Sequence, residues 1–226
     1  MIPLRDDNPT TLVPWVTFTL IAANVLAFVF EVSLGERLQS FLSLYGAVPG
    51  RLLSSEPAAG PAPPAVVTVF SSMFLHGGVL HVAGNMLYLW IFGNNVEDAL
   101  GHVRYLFFYL ISGVAAVYAH ALVDPSSTLP MIGASGAVSG VLGAYLVLFP
   151  RARVLALVPM GFVMRVMRVP ALFVLGFWIV IQLLYGVFSL GTPGGGVAWF
   201  AHVGGFLTGV ALVRPLVRRD FRSLAP

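Results

Sequence analysis

The sequence predicts an all-α membrane protein, a single bundle of six transmembrane helices with both termini cytoplasmic. Three observations predict it. Of 226 residues, 58% are hydrophobic and only 9% are charged, and the mean hydropathy is +0.91. A water-soluble domain carries roughly a quarter charged residues, because its surface has to be solvated. Second, apolar runs of the roughly 20 residues that cross a bilayer recur six times. Third, the basic residues fall almost entirely on one side of the implied topology.

The runs lie at Trp15–Val32, Leu80–Asp98, Val103–Val123, Gly133–Phe149, Ala171–Leu190 and Ala198–Val217. They form one domain, 1–226, with its core at about 15–217. With six crossings, the N-terminus, the second and fourth loops and the C-terminus share a side. That side holds ten of the twelve arginines, and Arg37 and Arg51 alone lie opposite, so the arginine-rich side is the cytoplasmic one. The first run is not a removable signal peptide, since Arg5-Asp6-Asp7 is no positive leader and no A-x-A site follows it. The first outer loop, about 33–79, is long. Its Pro-rich part, Glu56 to Pro64, cannot continue a helix, and the flanking Phe41–Val48 and Val66–Leu75 suit an interfacial position.

Several chemistries are excluded. The chain has no cysteine, so it has no disulfide, no thiolate nucleophile and no Cys-based metal site. It has no H-E-x-x-H for a zinc protease, no intramembrane aspartate pair and no G-x-x-x-x-G-K for nucleotide-driven transport. A pI near 9.6 does not point to nucleic acid, because the arginines lie between apolar runs and report topology instead.

What remains is a polar set at matching depth. The second, fourth and sixth runs all pass from outside to inside. His81 and Asn85 open the second, Ser135 the fourth and His202 the sixth. Each residue alone suits helix packing. Together they suit nucleophilic catalysis, with Ser135 as nucleophile and His202 as general base. Small residues permit the approach: Gly136, Gly140 and Gly143 make one stripe and Gly205-x-x-x-Gly209 another. His81 and Asn85, spaced i, i+4, share a helix face and offer N–H donors for an oxyanion. No acid falls near His202, so the expected machinery is a dyad.

Gly133-Ala134-Ser135-Gly136, Ala201-His202-x-x-Gly205-x-x-x-Gly209, His76-Gly77-Gly78-x-x-His81-x-x-x-Asn85 and Phe92 to Asp98, in this order, resemble the rhomboid family of intramembrane serine proteases. The resemblance covers about Trp15 to Val217. It implies Ser135 and His202 as the catalytic dyad, His81 and Asn85 as oxyanion donors, and a structural His76. It also implies transmembrane protein substrates cut near their outer ends in the lipid bilayer, without metal or cofactor. Two departures stand out. Some bacterial members have Trp-Arg in the first outer loop, whereas no Trp lies between Trp15 and Trp90 here. Some place a tyrosine one turn after the serine, stacked on the histidine; here that residue is Ser139, so His202 must be supported from elsewhere.

The loop Gly191 to Gly196 is expected to cap the site, with Phe173, Phe177, Trp178, Tyr185 and Phe188 of the fifth run gating lateral entry. A non-catalytic relative that escorts membrane proteins would be expected to lose Ser135 or His202, and both are present. A small transporter would be expected to show inverted repeats or broken half-helices, and none is evident. The bare core fits a bacterial cytoplasmic membrane.

Overall fold

The computed structural model describes residues 1–54, 63–190 and 197–224. Most of the Pro-rich segment and the whole expected cap at 191–196 therefore lie outside the described residues. Six long helices form the bundle: α1 (Trp15–Ser33), α5 (Val79–Leu100), α6 (His102–Val123), α7 (Ser135–Leu148), α8 (Ala171–Ser189) and α9 (Trp199–Leu216). Each lies within two residues of an expected apolar run. Three of them, α1, α6 and α8, are long and apolar enough to cross a membrane by length and composition, and α7 is a shorter apolar helix. Between α1 and α5 the described residues form a 3-10 turn and three short helices, α2 (Leu38–Tyr45), α3 (Pro49–Leu53) and α4 (Ala65–Ser72). A short helix, α10 (Arg219–Leu224), follows α9.

Helix α7 is the centre of the bundle. Its small residues explain why: a Cβ added at Gly143 would strike Phe206 O, and one at Gly209 would strike Gly140 O. Likewise a Cβ at Gly205 would strike Gly136 O. The two expected glycine stripes therefore face each other, and α7 and α9 touch backbone to backbone. On its other flank α7 meets α6 through Gly136 against Ala116 and Gly140 against Ser112. Helices α1 and α8 sit outside, with Leu26, Val29, Phe173 and Phe188 among their exposed apolar residues.

Two buried carboxylates secure the end of the bundle remote from Ser135. Glu97 accepts hydrogen bonds from Val16 N, Thr17 N and Thr17 Oγ1 at 2.7–2.9 Å, which satisfies the free N–H groups at the start of α1. Asp98 accepts from Thr11 N, Thr11 Oγ1 and Arg218. The Phe92 to Asp98 segment is thus an anchor for both chain ends.

The all-α expectation needs one correction. The fourth loop is a β-hairpin, β2 (Arg153–Met160) and β3 (Val163–Pro170), and the N-terminal strand β1 (Ile2–Asp6) adds to β2 in an antiparallel sheet ordered β1-β2-β3. The arginines of this stretch read as topology markers, and they masked a β-rich pattern of valines around a two-residue turn. Gly161, at φ +63°, supplies the backbone that such a turn requires. Val154 and Ala156 of β2 are buried against the bundle. The Tyr145 hydroxyl donates to Asp6 at 2.6 Å, and Arg168 Nε donates to Asp7 at 2.9 Å. Burial raises the Asp6 carboxyl above its ordinary value, which the Tyr145 hydrogen bond offsets only in part.

Candidate active site

Ser135 is the first residue of α7 and His202 the fourth of α9. The close crossing of these helices brings the two side chains together. Ser135 Oγ lies 2.9 Å from His202 Nε2, with the hydroxyl donating to the ring. The other ring nitrogen is engaged too: His202 Nδ1–H donates to Gln182 Oε1 at 2.6 Å. The two bonds are consistent with a single neutral tautomer, proton on Nδ1 and lone pair on Nε2 toward the serine.

Gln182 was missed by sequence reasoning. It is 7% exposed on α8, amid an otherwise apolar helix. A lone glutamine in such a helix was the available signal, since a polar group at that depth needs a partner. Ser139 lies where a stacking tyrosine was considered, and its hydroxyl turns away to donate to Ser135 O at 2.6 Å. Trp178 instead faces the His202 ring, with centroids 5.9 Å apart, and Trp199 meets it edge-on at 6.2 Å. Trp178 therefore separates from the expected gate group. Phe173, Phe177, Tyr185 and Phe188 are exposed, while Trp178 packs inward on His202 and Phe206.

The second expected pair also converges here. Gly77 N–H points at His81 Nδ1, at a long 3.4 Å, which leaves Nε2 of His81 as the protonated, donating nitrogen. A Cβ added to Gly133 would lie 2.7 Å from His81 Nε2 and 3.5 Å from Ser135 Oγ. Gly133 thus leaves open the space between the Ser135 hydroxyl and the His81 ring. Its φ of +125° is also one that other residues rarely adopt. Asn85 is 8% exposed, and its amide donates to His76 Nε2 at 3.0 Å. His76 in turn donates from Nδ1 to Phe74 O at 3.2 Å. One Asn85 N–H therefore holds the side chain in place, and the second is left for another acceptor.

Glu31 extends this network. It is fully buried at the end of α1 and accepts the backbone N–H of His76 at 3.0 Å. It touches the His76 loop and not the His202 ring, whose Nδ1 faces an amide. Among the described residues no group of three His, Cys, Asp or Glu side chains suits a metal ion.

The Rhomboid domain profile matches residues 63–219 of this chain. Among curated proteins, the chain is 29% identical to RHOMBOID-like protein 4 of Arabidopsis thaliana over 231 residues, 89% of this chain and 54% of that protein. It is 34% identical to rhomboid protease GluP of Bacillus subtilis over 134 residues, 59% of this chain and 24% of that protein. It is 29% identical to the mitochondrial Rhomboid protein 1 of Saccharomyces cerevisiae over 150 residues, 64% of this chain and 40% of that protein. The chain spans about half the length of the first curated relatives it matches.

Proposed function

Since the chain belongs to the rhomboid family, we propose that it is an intramembrane serine endopeptidase that cleaves transmembrane segments of membrane proteins. The observation behind this reading is the 2.9 Å contact of Ser135 Oγ with His202 Nε2. Ser135 is the nucleophile. His202 Nε2 takes its proton as Oγ attacks the scissile carbonyl, then returns that proton to the leaving amine. A water, activated by the same nitrogen, hydrolyses the acyl-enzyme. The Nε2–H of His81 and the second amide N–H of Asn85 receive the oxyanion, on the side that Gly133 leaves open. Gln182 keeps the proton on Nδ1, so that the lone pair stays toward Ser135. No cofactor enters the mechanism.

In this reading all six long helices cross the bilayer in the six-span form of the family. The arginine-rich ends and both termini are cytoplasmic, and the dyad opens toward the outer face of a bacterial cytoplasmic membrane. Exposed Phe173, Phe177 and Phe188 of α8 line the route of lateral substrate entry.

The test is labelling by a serine-directed fluorophosphonate in detergent, with Ser135→Ala and His202→Ala as controls, beside cleavage of a panel of transmembrane substrates. The wild type should label and cleave, and both variants should do neither. A folded wild type that neither labels nor cleaves would remove the proposal.

A further inference from the structure

The β2–β3 hairpin carries a surface that the bundle does not use. Strand β1 reaches only as far as Ile2 opposite Leu157, so the distal part, Val158 to Arg165, extends beyond it. The register puts Met160 and Val163 on one face and Met164 and Val166 on the other. All four are half exposed, and Phe162 at the turn is completely so. An amphipathic sheet hides one face and wets the other. Here both faces and the tip carry exposed apolar side chains, with Arg165 beside Met160 and Val163 on one face, which suits a medium that surrounds the hairpin better than a partner that covers one side.

Charge narrows the choice of medium. Arg151, Arg153 and Arg165 are exposed and have no carboxylate partner among the described residues. The nearby acids are already engaged, Asp6 by Tyr145 and Asp7 by Arg5 and Arg168. Position narrows it further. Helix α8, one of the helices apolar enough to cross a membrane, begins at Ala171 immediately after β3 ends, and its first exposed residues are Leu172 and Phe173. The base of the hairpin therefore stands where that helix enters lipid. Eight-residue strands span about 26 Å, enough to lie along a headgroup layer.

We propose that the distal hairpin is a membrane-surface anchor, with Phe162 and its apolar neighbours in the headgroup region and Arg151, Arg153 and Arg165 on the phosphates of anionic lipids. Apolar area and basic charge together are what hold interfacial segments at anionic bilayers.

The chain has no cysteine, so one can be placed at will. Phe162→Cys, labelled with an environment-sensitive fluorophore, is reconstituted as full-length protein in nanodiscs of phosphatidylcholine, with or without phosphatidylglycerol. Val163→Cys serves as a second probe if the first variant folds poorly. The label should emit to the blue, be quenched by spin-labelled lipid and resist aqueous iodide, most strongly with phosphatidylglycerol. Adding Arg153→Gln and Arg165→Gln should move the equilibrium toward the water-exposed label by about fivefold for each arginine removed. A label open to iodide in both lipids would overturn the proposal. So would protection that ignores lipid charge, and so would protection that rises with protein concentration, which would assign the face to a second copy.

Discussion

Replacing Gln182 by methionine keeps the length of the side chain and removes its oxygen. In the wild type that oxygen accepts the Nδ1–H of His202 at 2.6 Å, and Gln182 is 7% exposed. Water is therefore poorly placed to substitute for it. Two losses follow. The Nδ1–H is left buried without an acceptor, which costs about 1–3 kcal/mol. The imidazole also becomes free to carry its proton on Nε2, the tautomer that cannot accept from Ser135. If the cost falls wholly on the competent state, kcat/KM drops by about 5- to 150-fold, at about 1.4 kcal/mol per tenfold. The loss should appear in kcat with little change in KM, because Gln182 acts through His202 and not on the substrate. Gln182→Glu restores an acceptor at the same place and should recover much of the rate. The assay is cleavage of a fluorescent transmembrane substrate in proteoliposomes, with thermal unfolding to confirm that each variant is folded. A folded Gln182→Met within twofold of wild type would refute the reasoning and leave the His202 orientation to Trp178 and Trp199.

Four further outcomes are expected. Gly133→Ala adds a methyl between His81 and Ser135 at a φ that costs about 1–3 kcal/mol, so cleavage should be nearly abolished while the protein still assembles; a cleavage loss no larger than the stability loss would count against the open space. Asn85→Ala removes one of the proposed oxyanion donors and should lower kcat by about 10²–10³, with fluorophosphonate labelling slowed but present. Gly205→Val forces α9 away from Gly136 and should destabilise by about 1–3 kcal/mol, read as a lower unfolding midpoint in detergent. The raised Asp6 carboxyl contributes most when protonated, and that contribution is lost as pH rises through the raised value. Acidification from neutral pH should therefore stabilise the wild type relative to Asp6→Asn, and identical pH slopes would remove this role.

Much of the fold was legible because long apolar helices announce themselves by length and polarity. The six long helices begin and end within two residues of the apolar runs, and the glycine stripes at Gly136 to Gly143 and Gly205 to Gly209 do meet. Ser135 and His202 were legible by shared depth, and the distance between them agrees with that reading. Gln182 and Trp178 were not, since a lone polar or aromatic residue on α8 has no partner until the rotation of α8 against α9 is known. The hairpin was hidden because arginine carries a topology signal and a strand pattern at once, and only strand pairing tells them apart. Glu31 was passed over because its partner is a backbone N–H, which no motif displays.

The pairing of Ile2 with Leu157 sets an order on assembly. During synthesis, at about 5–20 residues per second, the first strand waits roughly 8–30 s for the segment it will pair with. Helices α1, α5, α6 and α7 are made in that interval, and β1 stays open until α7 has been delivered. The β1–β2 pairing therefore waits for four of the six long helices and precedes the docking of α8 and α9, closing a loop that encloses Ser135 but not His202. A nascent chain stalled short of Arg153 should leave its N-terminal residues accessible to a protease, whereas one extended past α8 should protect them.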